Sequence, residues 1–193
     1  AQEALLVLRA EALYTLGGVL LGLGKLERAE ALAAAALERA RQSGDQSGMS
    51  VAWSMLGMAA KAQGKLDEAA AFFTESDTQA RRTEHLSIRG IALRNRAELA
   101  WLQGDLARAI TLAEEGRLLA QAAGIPFVVA GQATMLGHLA QQQQDSALAK
   151  AHFREALTLY RTFGGPTYTA WCLEGLAATL LSLIHISEPT RQA

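Results

Sequence analysis

The sequence predicts an all-α protein, a solenoid of antiparallel helical hairpins. Three observations predict it. Ala and Leu dominate the apolar half of the composition, and aromatic residues make up only 6% of the whole chain. This mixture favours helix over sheet. Apolar residues recur at intervals of three and four, the spacing of one helix face. Two sequence markers also recur with a constant period of 40 residues, which is typical of a repeat architecture.

The period is carried by two independent markers. The first is Gly-x-Leu-x-x-Ala, found at residues 24–29, 64–69 and 104–109, with an eroded fourth copy at 144–149. The second places a small residue after a larger one: Leu16-Gly17, Leu56-Gly57, Arg96-Ala97, Leu136-Gly137 and Leu176-Ala177. Composition bias alone can produce one such marker, but hardly two in step. The period therefore predicts successive structural units.

Each unit is predicted to contain two helices. The first helix ends at a glycine in three units: Gly24, Gly64 and Gly104. Glycine tolerates the left-handed conformation of a helix C-cap. At the next position Asp105 and Asp145 can cap the second helix by accepting a backbone N–H, whereas Lys25 and Lys65 cannot. Turn residues separate the units at 43–45, 123–126 and 164–166, and the break at 83–86 rests on the period alone.

Small residues are expected where the two helices of a hairpin cross closely. An alanine occupies the same register near the start of each second helix: Ala29, Ala69, Ala109 and Ala149. The sequence therefore predicts that these alanines lie against the small residues of the second marker, at positions 17, 57, 97 and 137.

These positions resemble the tetratricopeptide repeat, whose pattern has a Trp-like residue, Leu-Gly, an Ala opening the second helix, then an aromatic and a further small residue. The second unit matches it with Trp53, Leu56, Gly57, Ala69, Phe73 and Ser76. The usual unit has about 34 residues, so this one is longer. HEAT-type repeats have a similar period but lack the paired markers. The resemblance implies a right-handed superhelix.

The long unit also looks like the repeat arrays of large bacterial signalling proteins, for example ATPase-coupled transcriptional activators with a LuxR-type DNA-binding end. The resemblance implies a protein–protein interaction scaffold, part of a larger signalling or transcriptional regulatory protein, with a protein or peptide as partner. The alternative is a sensor domain that binds a small inducer or a short peptide in its concave groove.

The repeat array is predicted to span residues 1–180. Its units are 5–44, 45–84, 85–124, 125–164 and a truncated fifth at 165–180. Residues 181–191 resemble an in-frame translation of a transposase-type sequencing adapter, so 181–193 are predicted to be a non-native tail. The chain is then a metagenomic fragment, a reading frame cut within repeat five. Its helical opening also predicts a natural N-terminus further upstream.

Composition and spacing argue against several classes of function. A net charge of −1 with interspersed charges gives nucleic-acid binding by this segment little support. No apolar run reaches the ~20 residues of a membrane span. The single cysteine, Cys172, indicates a reducing compartment and hence the cytoplasm. The four histidines lack metal-ligand spacing, and no catalytic constellation is evident, so no cofactor, metal or enzymatic activity is predicted.

The family resemblance implies which side chains meet a partner, because first helices line the groove of such arrays. Transferring that register gives Met58, Lys61, Arg94, Glu98, Trp101, Thr134, His138 and Gln141 as groove residues, together with Ser54 and Ile91. Two alternatives remain open. Arg94 and Glu98 are four residues apart and can pair with each other, and Trp101 can belong to the core.

Overall fold

The computed structural model describes the backbone of residues 2–163 and 166–187, and within those ranges it contains α-helices and no strand. The helices are α1 (Gln2–Gly22), α2 (Leu26–Ser43), α3 (Gln46–Ala62), α4 (Leu66–Ala80), α5 (Leu86–Leu102), α6 (Leu106–Ala122), α7 (Pro126–Gln142), α8 (Ser146–Phe163) and α9 (Pro166–Ser187). From α2 onward each helix begins 20 residues after the one before it, so one hairpin occupies 40 residues. The all-α prediction and the period are confirmed.

The turns have the backbone conformation that the sequence predicts. Five glycines after helix ends have φ between 65° and 82°: Gly24, Gly44, Gly64, Gly104 and Gly124. Gln144 takes the equivalent place in the fourth hairpin with φ 60°. Asp105 and Asp145 each accept a backbone N–H from three residues further on, at 3.1 and 2.9 Å. Lys25 and Lys65 make no side-chain cap, as expected for residues that carry only donors.

The boundaries between hairpins follow the period even where turn residues are missing. Helix α4 ends at Ala80 and α5 begins at Leu86, which confirms the break at 83–86 that the period alone supported. Pro126 and Pro166 are the first residues of α7 and α9, where a missing backbone N–H is tolerated. The predicted turn at Gly164–Gly165 lies outside the described residues.

Two compact units divide the chain, Ala1–Leu112 and Ala113–Ala193, with the division falling within α6. In the first unit, a Cβ placed on Gly57 would lie 2.4 Å from the Phe73 ring, and its three nearest atoms all belong to that ring. Ala69 is buried, as expected. The prediction that Ala69 is the residue against the glycine was wrong in detail: the missing side chain makes room for the aromatic ring one helical turn further on.

The second unit repeats this arrangement and extends it. The ring of Phe153 lies between Gly137 on α7 and Gly175 on α9, each within 3 Å of where a Cβ would stand. Phe153 is fully buried together with Ala149 of the same helix. A neighbouring buried cluster joins the three helices: Ala130, Ala133, Ala156, Tyr160 and Cys172. The aromatic ring of α8 thus holds two successive first helices at close range.

Helix α9 continues to Ser187, seven residues beyond the point where the sequence predicts the repeat pattern to end. No glycine or proline occurs between Leu181 and Ser187, so nothing in the local sequence stops the helix before Pro189. Residues 188–193 lie outside the described residues. None of the described helices is both long and apolar enough to cross a membrane.

Candidate functional site

The eight predicted groove residues lie on the first helices α3, α5 and α7, and all of them are partly exposed. They fall into three registers that differ by the 40-residue period: 94 and 134; 58, 98 and 138; 61, 101 and 141. Two further candidates are buried. Ser54 is 1% exposed and Ile91 is 9% exposed, so neither is available to a partner.

Ser54 is buried because its hydroxyl takes part in a cluster between α3 and α4. The hydroxyl oxygens of Ser54 and Ser76 lie 2.7 Å apart, and the Ser50 hydroxyl donates to the Ser76 carbonyl at 2.9 Å. Three buried hydroxyls thereby satisfy one another and the backbone, as buried polar groups must. The sequence register predicted that Ser54 lies on the groove face of α3, whereas its side chain lies on the buried face, against α4.

In the first unit, the predicted residues connect successive first helices. The Lys61 ammonium of α3 lies 2.5 Å from the Glu98 carboxylate of α5. Met58 is partly buried and packs against the apolar clusters around Met55 and Phe73. The Lys61–Glu98 pair is partly exposed, so it contributes at most about 1 kcal/mol. Its larger effect is to fix two opposite charges side by side on the surface.

In the second unit, Gln141 connects α7 to α9. Its amide nitrogen donates to the Gly175 carbonyl and to the Thr179 hydroxyl, both at 2.9 Å. Its amide oxygen lies 3.1 Å from Nδ1 of His138. The His138 ring in turn meets the Phe153 ring edge to face, with centroids 5.0 Å apart. The polar side chains are therefore held in fixed positions before any partner binds.

Thr134 lies beside Cys172, with its hydroxyl 3.4 Å from the sulfur. Cys172 is fully buried. Burial raises the pKa of the Cys172 thiol, and the hydrogen bond with Thr134 offsets part of that rise. A buried thiol with a raised pKa is a poor nucleophile. Within the part of the chain that the structure describes, no three His, Cys, Asp or Glu residues are grouped so that they could hold a metal ion.

A charged cluster on the second helices escaped the sequence analysis. The Arg117 guanidinium of α6 binds the Glu114 carboxylate at 2.8 Å and reaches Glu155 of α8 at 4.0 Å. Nδ1 of His152 lies 3.9 Å from Glu155. Burial lowers the pKa of His152, with Arg117 acting in the same direction and Glu114 and Glu155 opposing it. The three-residue spacings of Glu114 with Arg117 and of His152 with Glu155 were the local signals, and such spacings are common on exposed helix faces.

Family models agree with this geometry along the chain. Three models, each described as tetratricopeptide repeat, match residues 8–76, 90–115 and 133–163. The chain is built of tetratricopeptide repeats. The matched ranges include the Gly57–Phe73 and Gly137–Phe153 pairs.

Solved structures with the same tetratricopeptide-like fold have little sequence in common with this chain. BtubC (BKLC) from P. vanneervenii is 17% identical, with 97% of this chain and 86% of that chain covered and a TM-score of 0.63. A signal transduction ATPase with numerous domains from Pyrococcus horikoshii, which has a tetratricopeptide-repeat sensor, is also 17% identical, with a TM-score of 0.62. The match covers 96% of this chain but only 31% of the Pyrococcus chain. No curated protein matches the sequence.

Tetratricopeptide repeats present extended binding surfaces on a rigid scaffold. The exposed groups described above are of the kind that such a surface offers: an ion pair, amide and imidazole groups, a methionine and a tryptophan. Contacts between helices hold the side chains of Lys61, Glu98 and Gln141 in position.

Proposed function

We propose that this chain is a protein-interaction scaffold that binds a protein or peptide segment on the partly exposed side chains of its first helices. The observation that carries the proposal is the Lys61–Glu98 pair, two opposite charges held 2.5 Å apart between successive first helices. The amide of Gln141, held between α7 and α9, gives the second unit a comparable fixed polar group. Fixed groups reduce the ordering cost of binding.

The proposed setting is a larger bacterial signalling or transcriptional regulatory protein in the cytoplasm. The likeness to a Pyrococcus ATPase with a tetratricopeptide-repeat sensor supports a signalling role. The single cysteine is buried and forms no disulfide, which supports a reducing compartment. The interspersed charges support a protein or peptide partner over a nucleic acid.

A sensor that binds a small inducer or a short peptide is the second candidate. The sensor of the Pyrococcus protein favours it, since a sensor repeat array must respond to something that it binds. Thermal melting against a panel of small metabolites separates the two candidates, because a ligand that binds only the folded state raises Tm progressively, with the logarithm of its concentration above Kd. A Tm that rises with one small compound, in the absence of any peptide, favours the sensor.

A charge exchange tests the scaffold proposal without disturbing the fold. The chain would be used to select binders from a phage-displayed library of random peptides, and their affinities measured for the wild type and for the double variant Lys61→Glu, Glu98→Lys. The variant keeps an ion pair of the same length but reverses its polarity. At least one class of selected peptides is expected to lose tenfold or more in affinity for the variant. Equal affinities for all selected peptides would contradict the proposal.

We propose in addition that residues 181–193 are adapter-derived and take no part in binding. The support is their resemblance to a translated sequencing adapter and their departure from the repeat pattern. Long-read sequencing of the source DNA across this end tests it. Native codons for residues 181–191 in that DNA would sink the proposal.

A further inference from the structure

The second unit has a concave surface whose lining residues include none of the predicted groove residues. It is an open groove of about 670 Å³ between the end of α6, the start of α7 and the side of α8. Its lining residues are Ala120, Gln121, Gly124, Ile125, Pro126, Val129, Arg154, Glu155, Thr158 and Leu159. A volume of that size is within the range of ligand sites, roughly 300–1,000 Å³, and it accommodates large side chains of a partner.

The repeat itself supplies a control for this groove. Two periods earlier, the equivalent positions of Ile125, Pro126 and Leu159 are polar: they are Asp45, Gln46 and Gln79. The equivalent of Arg154 is the neutral Thr74. In the hairpin between these two, Leu86 and Leu119 are already apolar and only His85 is polar. The fourth hairpin is therefore the one in which all three positions are apolar and position 154 carries an arginine.

Ile125 lacks the helix-capping hydrogen bond that Asp45 makes two periods earlier. Asp45 caps α3 by accepting the Gly48 N–H at 2.9 Å. Ile125 occupies the same cap position of α7 and has no side-chain acceptor. Isoleucine is among the poorest residues at an N-cap. Ile125 and Leu159 pack against the buried cluster of Ala120, Val128 and Val129, and the part of each side chain that stays exposed forms the floor of the groove.

The two charged residues that line the groove, Arg154 and Glu155, differ in their ion pairs. Glu155 faces Arg117 at 4.0 Å and His152 at 3.9 Å. Arg154, the neighbouring residue, is exposed and forms no ion pair within the described part of the chain. Its guanidinium stays charged at every physiological pH and is suited to binding a carboxylate through two N–H groups. The groove therefore offers an apolar floor with one uncompensated positive charge beside it.

We propose that this groove binds an extended peptide segment of a partner protein, in which a branched aliphatic or aromatic side chain is adjacent to an Asp or Glu. The apolar side chain lies over Ile125, Val129 and Leu159, and the carboxylate pairs with Arg154. The groove is open along its length and only Ala120 and Val129 of its lining are buried, which suits a chain segment better than an enclosed small molecule. This surface is separate from the first-helix residues of the proposed function.

The test uses two substitutions that copy the earlier repeat, Ile125→Asp and Leu159→Gln, in the full chain. Ile125→Asp removes the apolar floor and its packing against Val128 and Val129 but restores the cap that Asp45 makes, so its melting temperature is expected to stay close to that of the wild type. Binding lost in this variant then reports the groove and not unfolding. The probes are fluorescently labelled ten-residue peptides enriched from a random phage-displayed library on the wild-type chain.

The proposal expects enriched peptides that carry Leu, Ile or Phe beside Asp or Glu, with Kd at least tenfold higher for both variants. Arg154→Glu is expected to weaken the same peptides and to favour versions in which Lys replaces the acid. The double variant Lys61→Glu, Glu98→Lys is the matched control and should bind them normally. Failure to enrich any such peptide would overturn the inference. Enriched peptides that bind Ile125→Asp with wild-type affinity would also overturn it. If those peptides lose affinity for the control variant, they bind at the first-helix site, and the proposed function stands while this inference fails.

Discussion

The carboxylate of Asp77 on α4 is bound by the guanidinium of Arg96 on α5. Asp77 is 8% exposed, and its second ion pair is with Arg81, one turn along the same helix at 3.1 Å. The registers of this pair hold two leucines in two other hairpins: Leu37 and Leu56 one period earlier, and Leu157 and Leu176 two periods later. One period later they hold Arg117 and Leu136. A buried ion pair thus replaces an apolar pair at one junction between hairpins.

The Asp77–Arg96 pair predicts a strongly non-additive mutant cycle. Arg96→Leu alone leaves a nearly buried carboxylate with only Arg81 and is expected to lower the free energy of unfolding by about 2–4 kcal/mol. The double variant Asp77→Leu, Arg96→Leu reproduces the leucine pair of two other hairpins and is expected to lie within about 1 kcal/mol of the wild type. Urea denaturation measures both. If the double variant loses as much unfolding free energy as Arg96→Leu and Asp77→Leu lose together, the junction does not accept an apolar pair.

Gln144 predicts a stabilising substitution. It is left-handed, with φ 60°, where the three preceding hairpins have Gly24, Gly64 and Gly104, and the left-handed conformation is unfavourable for a residue with a Cβ. Gln144→Gly is expected to raise the free energy of unfolding by up to about 1 kcal/mol. The neighbouring Gln143 has φ −79°, so Gln143→Gly is a matched control expected to be neutral or destabilising. The two melting temperatures should therefore move in different directions, and a drop for Gln144→Gly would refute the reasoning.

Two helical glycines predict opposite results for the same substitution. A Cβ on Gly57 would lie 2.4 Å from the Phe73 ring, whereas a Cβ on Gly18 would meet nothing within 4 Å. Gly57→Ala is expected to destabilise by about 1–3 kcal/mol through overpacking. Gly18→Ala is expected to stabilise by about 0.5–1 kcal/mol, because alanine is the better helix former. Chemical denaturation measures the free energy of unfolding of both variants. Equal changes would show that the Phe73 ring moves aside to accommodate the added methyl group.

His152 predicts a pH dependence of stability. Its pKa is lowered from 6.5 in the folded protein, chiefly by burial, with Arg117 adding to that and Glu114 and Glu155 opposing it. As pH falls below about 6.5, the unfolded chain takes up this proton before the folded one does, so unfolding becomes easier. The contribution is fully present above that pH and declines through the window between it and the lower folded pKa.

His152→Gln isolates this contribution, since glutamine does not titrate. Unfolding free energies of the two proteins would be measured from about pH 8 to about pH 5. The wild type is expected to lose stability relative to the variant as the pH falls. A difference that stays constant, or one that shifts in favour of the wild type at low pH, would show that the neighbouring carboxylates outweigh burial.

The sequence by itself determined the helices and their order. The period, the glycines at the turns and the capping aspartates are local signals, because each depends on the backbone conformation of a few adjacent residues. The left-handed glycines at 24, 64 and 104 and the caps made by Asp105 and Asp145 lie where the sequence predicts them. The end of α9 was missed because the repeat pattern stops before the local preference for helix does.

Only the tertiary structure decided which side chains meet between hairpins. Phe73 and not Ala69 fills the space at Gly57, Ser54 turns inward to Ser76, and Glu98 reaches back to Lys61. Each of these contacts joins residues from different helices, and the rotation of one helix against its neighbour sets them. That rotation depends on how whole helix faces interdigitate, which no stretch of adjacent residues specifies. The apolar groove beside Ile125 became visible for the same reason, since its three walls come from three helices.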